Sequence, residues 1–307
     1  YTEQARGECR GGKIIQRDGP ITTATARLID RFESIRIVHI EASTSLNDFA
    51  ALRKRTKARL KPAEGIIEAA RLKKDAGEIS ATKSAARIAN LALRRVMRHV
   101  KPGITESELA GALDFEIRKL QACNSFETIV AFGPNASRPH HQPGGGKLRK
   151  NDSVLIDFGA RYKGYCCDLT RCFAIGRPTD LYKKVYNAVR RAQAEAIKMV
   201  KAGVNVKQVD SISRRVIGDH GLPVYGHGTG HGLGLEIHEG PVLSKQGKGR
   251  LEAGMVVTIE PGVYIPGRLG VRIEDDILVT KNGFEILTRD SEDSVELDTL
   301  SHARRKK

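Results

Sequence analysis

The segment SVLIDFGARYKGYCCDLTRCFAI at residues 153–175 predicts two strands joined by a tight turn. Residues 153–157 form one apolar strand and residues 165–175 return beside it, which is the pattern of an antiparallel hairpin. Asp157 and Asp168 then fall on paired strands, where cross-strand neighbours lie about 5 Å apart. Two carboxylates that close repel each other unless a positive charge lies between them, and a divalent cation is the simplest such charge. The alternative is one buried Asp that caps a turn and a second, exposed Asp.

Helices and strands alternate in a repeated order around this hairpin. Helices are predicted from apolar spacing, caps and Pro-Gly ends at residues 63–100, 105–120, 180–200 and 206–220. Further strands are predicted at residues 127–130 and within the glycine-rich residues 221–288. The order of two helices, strands, two helices and strands is an α+β pattern with two similar halves.

A domain boundary is predicted at Pro62. Residues 1–62 mix short β-like runs with charged helical segments, and they are too few to form a rich core. We therefore expect a partial α/β N-terminal domain at residues 1–62 and one main domain at residues 63–307. The chain starts at Tyr1 without an apolar signal-peptide core, so we expect a fragment or a processed form.

Composition favours a globular protein of a reducing compartment. The chain is 40% hydrophobic and 29% charged, and no apolar run approaches the roughly 20 residues of a membrane span. Its five cysteines are an odd number and do not predict a disulfide framework, so a cytoplasmic location is expected. Cys166 and Cys167 are interpreted as small packing residues rather than thiolate ligands.

The net charge of +16 raises the question of nucleic-acid binding. Residues 1–100 carry +10 of this charge, and the densest run is RKRTKAR at residues 53–59. This run has no aromatic neighbour closer than Phe49, so we interpret it as a solvated helix face. The basic tail at residues 304–307 is expected to be frayed, and nucleic acid is not an expected partner.

Further metal donors follow in the second half of the chain. GHGTGHGLGLEIHE at residues 226–239 combines three histidines with glycines, which permit close backbone approach and exclude an ordinary helix. Glu260 ends an apolar strand, and strand alternation places Arg272 and Glu274 on one face.

Asp157, Asp168, Glu260 and Glu274 supply four carboxylates, and the glycine-rich run supplies a histidine. Together they predict a site of four carboxylates and one imidazole. Such donors suit Mn²⁺, Fe²⁺, Co²⁺ or Zn²⁺. Four negative charges exceed what one divalent ion balances, so two metals about 3.5 Å apart are expected. Two-metal sites activate a water and polarise a carbonyl, which favours hydrolysis of an amide or ester.

The chain resembles the "pita-bread" metallopeptidases in four segments, which are IDFGARYKGYCCDLTR, GHGTGHGLGLEIHE, TIEPGVY and VRIEDDILVT. This superfamily includes aminopeptidase P, prolidase, creatinase and methionine aminopeptidase. The resemblance covers about residues 64–290 and is greatest to the Xaa-Pro peptidase branch. It implies a pita-bread catalytic domain with pseudo-twofold halves. Residues 1–62 look like the later part of a creatinase-type N-terminal domain.

The resemblance implies a role for each matching position. The implied metal ligands are Asp157 on one metal, Asp168 and Glu274 on both, and His231 and Glu260 on the second. Glu260 is also the implied proton shuttle.

Other residues are implied to act on the substrate. His140 matches a histidine near the substrate amide and is preferred over its neighbour His141. His238 matches a histidine that stabilises the tetrahedral intermediate. His227 and Arg272 match residues that line the proline-side pocket and support the ligands.

The resulting expectation is a dinuclear Xaa-Pro aminopeptidase that acts on peptides with proline at the second position. Manganese is the first expected metal, with Co²⁺, Zn²⁺ and Fe²⁺ as alternatives, and the resemblance implies a homodimer. Xaa-Pro dipeptidase (prolidase) shares the same motifs and remains an alternative. Methionine aminopeptidase is less favoured, because those enzymes usually lack the extra N-terminal domain and differ in the histidine loop. An inactive binding module that uses its basic face is an alternative of another class.

Overall fold

A computed structural model describes residues 2–9 and 11–289 of the chain. The described residues form two compact units, which divide between Ala69 and Ala70. The helices are α1 (Thr2–Glu8), α2 (Ile21–Asp30), α3 (Leu46–Arg53), α4 (Ile66–Arg71), α5 (Ala76–Val96), α6 (Glu106–Lys119), α7 (Asp180–Met199) and α8 (Val206–Asp219). The first strands are β1 (Ile37–Glu41), β2 (Arg59–Ala63), β3 (Cys123–Asn124), β4 (Ile129–Phe132), β5 (Ser153–Phe158), β6 (Ala160–Tyr162), β7 (Tyr165–Cys166) and β8 (Leu169–Ala174). The later strands are β9 (Gly230–Gly232), β10 (Glu239–Leu243), β11 (Val256–Ile259), β12 (Gly262–Ile265), β13 (Leu269–Arg272), β14 (Asp275–Val279) and β15 (Phe284–Ile286). Across the described residues, no helix is both long and apolar enough to cross a membrane.

The smaller unit contains the parallel strand pair β1 and β2, with α2 and α3 in the same unit. Its basic run was predicted to be a helix face, and that prediction was wrong. Helix α3 ends at Arg53, and the backbone N–H of Lys54 caps it. Residues 54–58 form an exposed turn before β2, because Thr56 and Lys57 both donate hydrogen bonds to the Asp30 carboxylate. The run is solvated, as expected, but it is not helical. The basic tail at residues 304–307 lies outside the described residues.

The expected long helix at residues 63–100 is also wrong in its extent. Pro62 lies within β2, and the helical residues divide into α4 and α5. The Asp75 side chain accepts the Glu78 backbone N–H, and the Glu78 side chain accepts that of Asp75. This capping box begins a new helix at Ala76, since it satisfies backbone N–H groups that have no partner in the first turn. The domain division at Pro62 stays a prediction.

The hairpin predicted at residues 153–175 is present, with one correction. Strands β5 and β8 pair in antiparallel fashion over their whole lengths, with β4 on the other side of β5. The residue opposite Asp157 is Thr170, while Asp168 lies between β7 and β8 rather than on a strand. Its backbone N–H donates to the Asp276 carboxylate at 3.0 Å, a side-chain acceptor that replaces a strand partner.

The larger unit repeats one arrangement after about 100 residues of sequence. Helix α6 begins with a capping box at Thr105, which bridges to Lys147 in antiparallel fashion. Helix α8 begins with a capping box at Asn205, which bridges to Arg250 in the same way. Each half therefore has a helix pair followed by strands, as the sequence order predicts.

Each half has an apolar core, and a further apolar cluster joins the two halves. One core joins α5 and α6 to β4, β5 and β8. In the other half, α7 and α8 pack against β11 and β14 at one end. At their other end they pack with β12 and β13 and with Ala131, Leu155 and Cys172 of the first half. The antiparallel five-stranded sheet of the second half has the order β10-β9-β11-β14-β15. Residues at the strand ends of both halves meet between these cores, and they carry the candidate site.

Candidate metal centre

Three of the expected ligands meet at one point between the halves. Asp168, His231 and Glu274 each offer a donor atom, and these atoms all lie within 4.8 Å of one another. The two carboxylates are buried and the imidazole is partly buried. Glu260 joins them, since its Oε1 lies 3.6 Å from His231 Nε2, and Asp168 Oδ2 lies 3.7 Å from the same nitrogen. The cluster can therefore offer hard oxygen donors and one nitrogen to divalent cations.

The glycines around His231 allow its strand to approach its neighbours closely. A Cβ atom at Gly230 would lie 1.9 Å from the Thr258 carbonyl oxygen, and one at Gly232 would lie 1.8 Å from the Gly240 carbonyl oxygen. Any larger residue would push β9 away from β11 or β10. The two glycines thus place the imidazole between the carboxylates of adjacent strands.

Hydrogen bonds to the backbone and to a hydroxyl group fix the positions of Glu260 and Glu274. The backbone N–H of Glu260 donates to the Thr229 carbonyl at 2.8 Å, just after β11 ends and before Pro261. Glu274 lies between β13 and β14, and its backbone N–H donates to the Thr170 carbonyl at 3.2 Å. The Thr170 hydroxyl donates to Glu274 Oε2 at 2.6 Å. A hairpin residue of the first half therefore fixes a carboxylate of the second.

Asp157 is held by a chain of polar contacts that ends at His227. Arg272 Nη2 bonds to Asp157 Oδ2, and Arg272 Nη1 donates to the Tyr264 hydroxyl at 2.7 Å. The Tyr264 hydroxyl lies 3.0 Å from His227 Nε2. Since His227 Nδ1 lies 2.7 Å from a carbonyl oxygen, Nδ1 carries the proton and Nε2 accepts from Tyr264. The other carboxylate oxygen, Asp157 Oδ1, is buried and has no hydrogen-bond partner among the described residues.

His231 has the tautomer that a metal ligand needs. Its Nδ1 lies 3.0 Å from the Gly232 carbonyl oxygen, which can only accept, so Nδ1 carries the proton and Nε2 faces the carboxylates with a free lone pair. Burial lowers the pKa of His231 to about 4. The ring is therefore neutral at physiological pH and can donate its lone pair.

The carboxylates are placed where their negative charge is unfavourable. Burial raises the pKa of Asp168 well above its usual range, and the charges of Glu274 and Asp157 raise it further. Burial, followed by the charges of Glu260 and Asp157, does the same to Glu274. Burial also raises the pKa of Glu260 to about 8, although Arg272 opposes that shift.

This cluster fits divalent cations on two observations. Buried carboxylates in mutual repulsion need a compensating positive charge, which metal ions supply. In addition, Asp157 Oδ1 and Asp168 Oδ1 are buried without a hydrogen-bond partner among the described residues, so both have a lone pair available for coordination.

The adjacent histidines at residues 140 and 141 are separated by their contacts. His141 is buried, and its Nε2 lies 2.8 Å from Glu106 Oε2. His140 is exposed, and its charge is one of the causes that lower the pKa of His227, after burial. The preference for His140 as the residue that faces the site stays a prediction.

His238 completes the group of expected site residues. Its ring is 4.4 Å from that of His231, measured between centroids, and the two planes are inclined at 72°. The side chain of His238 is exposed. It can therefore meet a substrate bound over the carboxylates.

Sequence reasoning missed several residues that hold the site together. Thr170, Tyr264 and Asp276 each contact an expected site residue, yet none of them was singled out. All three lie within the segments that carry the family resemblance, so their position beside the expected ligands was the available signal. Cys166 and Cys167 are buried and unpaired, as expected for packing residues, and burial raises the pKa of both thiols.

Comparison with known proteins identifies the class. The model of metallopeptidase family M24 matches residues 80–281, which include all nine expected site residues. The chain belongs to this family of dinuclear metal-dependent hydrolases. The fold is accordingly the pita-bread fold, as the sequence resemblance predicted.

Two solved relatives are Xaa-Pro peptidases, and a further relative is an uncharacterized peptidase. The chain is 40% identical to a Xaa-Pro dipeptidase from Bacillus anthracis, with a TM-score of 0.91 over 94% of this chain and 82% of that one. It is 35% identical to an X-Pro aminopeptidase from Thermotoga maritima, with a TM-score of 0.89 over 94% and 83% of the two chains. It is also 41% identical to the uncharacterized peptidase YqhT of Bacillus subtilis, over 94% of this chain and 82% of that protein.

Proposed function

We propose that this metallopeptidase hydrolyses the bond between an N-terminal residue and a following proline, with Xaa-Pro dipeptides as preferred substrates. The observation that carries the proposal is the cluster of Asp168, His231 and Glu274, with the exposed His238 ring beside it. The likeness to the Bacillus anthracis dipeptidase supports the preference for dipeptides. We further propose that Asp157, Asp168, His231, Glu260 and Glu274 hold two divalent cations.

The bound cations, Glu260 and His238 have different chemical roles in the proposed reaction. The bound cations supply a Lewis acid for the scissile carbonyl and lower the pKa of a water so that it can act as a nucleophile. Glu260 is the residue that accepts and returns the proton, because it lies at the edge of the cluster, where its Oε1 is 3.6 Å from His231 Nε2 and its side chain is 17% exposed. His238 donates a hydrogen bond to the carbonyl oxygen as negative charge develops there.

The proline side of the substrate faces the second group of residues. An Xaa-Pro bond has no N–H donor, so an enzyme that cleaves it cannot rely on that hydrogen bond. His227, Tyr264 and Arg272 form a connected wall, and Arg272 Nη2 donates to the carbonyl oxygen of Pro139, next to His140, at 3.4 Å. We propose that this wall accepts the proline ring and that His140 contacts the substrate amide.

An aminopeptidase that accepts longer peptides is the second candidate, and the likeness to the Thermotoga maritima enzyme favours it. The test compares kcat/KM on Ala-Pro with kcat/KM on Ala-Pro-Ala, using protein loaded with Mn²⁺. A ratio above about tenfold in favour of the dipeptide supports the proposed preference, since that ratio equals 1.4 kcal/mol of transition-state discrimination. A reversed ratio would move the assignment to the aminopeptidase.

Metal dependence is tested separately. Metal analysis of the purified protein should find two divalent ions per chain, and reconstitution with Mn²⁺, Co²⁺, Zn²⁺ or Fe²⁺ should identify the most active form. The proposal would be refuted if the folded protein bound none of these ions and cleaved no Xaa-Pro peptide in their presence. His238→Asn should retain both metals and lose about a hundredfold in kcat, within the range typical of a single proton donor.

A further inference from the structure

A buried ion pair outside the metal centre lies against the loop that carries His238. Lys74 Nζ is 3.1 Å from Glu239 Oε2, and the two side chains are only 2% and 7% exposed. Arg71 Nη2 bonds to Oε1 of the same carboxylate. Removing charges from water costs free energy, so the contacts of this buried pair must offset that cost.

Glu239 connects the ion pair to the catalytic loop. It directly follows His238 and is the first residue of β10, where it lies opposite Gly232 of β9. Its Oε1 also accepts the backbone N–H of Glu236 at 3.0 Å, within the loop itself. The Glu239 carboxylate thus holds both ends of the segment 236–239, while Lys74 holds the carboxylate.

The pair packs directly on the loop backbone. A Cβ atom at Gly234 would lie 2.9 Å from Lys74 Cε and 3.0 Å from Glu239 Oε2. The opposite side of the loop is held by Cys166, whose backbone N–H donates to the Gly234 carbonyl at 2.8 Å. Lys74 is itself fixed by its own N–H, which donates to the Gly254 carbonyl at 2.8 Å. The loop is therefore held from two sides.

The His238 ring has few contacts of its own. Among the described residues no hydrogen bond reaches this ring, and its ring contact is with His231, 4.4 Å away between centroids. The direction of an exposed ring without hydrogen bonds follows from its backbone. Movement of Glu239 would therefore change where the His238 ring points.

We propose that Lys74 and Arg71 are positioning residues that, through Glu239, set the location of the His238 ring beside His231. The proposal rests on the proposed function, because it takes His238 to be the residue that contacts the reacting carbonyl. Lys74 and Arg71 act through the carboxylate of Glu239, so they are not catalytic residues.

The kinetic test uses Lys74→Met and Arg71→Met, with Lys83→Met as the matched control. Lys83 is part of an exposed ion pair with Glu285 in the same unit, at 2.7 Å. The two test variants should lower kcat about ten- to a hundredfold with little change in KM and with both metals retained, because misplacement by about 1 Å costs on this order. Lys74→Arg should recover part of the loss, and the control should match the wild type.

A double-mutant cycle separates positioning from general damage. In a His238→Asn background, Lys74→Met should lower kcat by no more than about twofold further, because residues that act as one unit are non-additive. If Lys74→Met lowers kcat by the same factor in both backgrounds, the proposal is overturned.

A measurement without substrate keeps this proposal distinct from the proposed function. In metal-free protein labelled with ¹³C-histidine, the Cε1 resonance of His238 is assigned by its loss in His238→Asn. Lys74→Met and Arg71→Met should shift or split that resonance and leave those of His99 and His220 unchanged. An unmoved His238 resonance in a folded variant overturns the proposal, whereas a shifted resonance in a protein that cleaves no Xaa-Pro peptide refutes only the proposed function. If Lys74→Met does not fold, Arg71→Met decides, since the Arg71 side chain is 23% exposed.

Discussion

Replacement of Asp168 by Asn should have opposite effects on the metal-free and the metal-loaded protein. Without metal, Asp168 adds a negative charge to a buried cluster in which its pKa is already raised by burial and by Glu274 and Asp157. The amide has nearly the same shape, carries no charge, and can donate an N–H to a neighbouring carboxylate. The variant should therefore be more stable than the wild type in the absence of metal.

The size of the effect follows from the separation of the charges. Two unit charges 4.8 Å apart, the outer limit for the donor atoms of Asp168 and Glu274, repel by about 3 kcal/mol at an effective dielectric constant of about 20. Partial protonation at neutral pH reduces what can be recovered, so we expect a gain of about 1–2 kcal/mol in the free energy of unfolding. Metal at about 1,000 times its Kd stabilises the wild type by about 4 kcal/mol, and the variant should lose most of that gain.

The assay is urea unfolding at pH 7 in EDTA and again with increasing Mn²⁺. Asp180→Asn is the control, because Asp180 is fully exposed in a surface pair with Lys183 and should change neither curve appreciably. The reasoning is refuted if Asp168→Asn destabilises the metal-free protein by more than about 1 kcal/mol, which would mean that hydrogen bonds dominate the cluster rather than charge repulsion. Full metal stabilisation of the variant would also refute it.

Three further predictions concern pH and buried polar groups. Metal-free wild type should lose stability as pH rises from about 4.5 to about 8, because folded Glu260 keeps a proton that the unfolded chain has released, and saturating Mn²⁺ should flatten this slope in unfolding curves measured across that range. The pKa of Glu106 is lowered by hydrogen bonds from His141 and from backbone N–H groups against the opposing effect of burial, so its contribution is complete above pH 4.5 and is lost as pH falls through the lowered value. Glu106→Gln should therefore unfold with a weaker acid dependence, and an unchanged acid limb would contradict this. Arg214→Met should cost about 3–5 kcal/mol in urea unfolding, because it leaves the buried Asp210 charge without its partner, whereas the exposed neighbour Arg215→Met should be close to neutral.

Local sequence patterns were sufficient for much of the fold. The capping box at Thr105 begins α6, and the hairpin segment pairs as β5 and β8. Both features depend on residues close in sequence, whose spacing is visible without the structure. Local patterns also indicated the candidate carboxylates and the glycine-rich histidine run, whereas the choice of His231 and the ligand roles came from the family resemblance.

Two of the failures share one physical cause, which is a partner distant in sequence, whereas the break before α5 follows from the local capping box of Asp75 and Glu78. Residues 54–58 were expected to be helical, but Asp30 supplies acceptors that hold a turn. Asp168 was expected on a strand, but Asp276 accepts its backbone N–H from 108 residues away. Local propensity cannot reveal such partners, because nothing near the residue in sequence reports them.

The same long-range partners explain how a cluster of buried acids is retained by a folded chain. Two of the acidic side chains are held by a residue of the opposite half. Arg272 of the second half binds Asp157 of the first, and Thr170 of the first half donates to Glu274 of the second. The carboxylates thus come together only when the two halves associate. That association brings negative charges close to one another, which opposes it. Bound metal ions attract these carboxylates and so turn the repulsion into attraction. They should therefore stabilise the association of the two halves as well as take part in catalysis. Loss of metal should accordingly loosen the strand ends around the metal centre before it loosens the apolar clusters, one of which also joins the halves. Hydrogen exchange of backbone amides should show this order, with Glu274 losing protection before the buried strand residue Ile156.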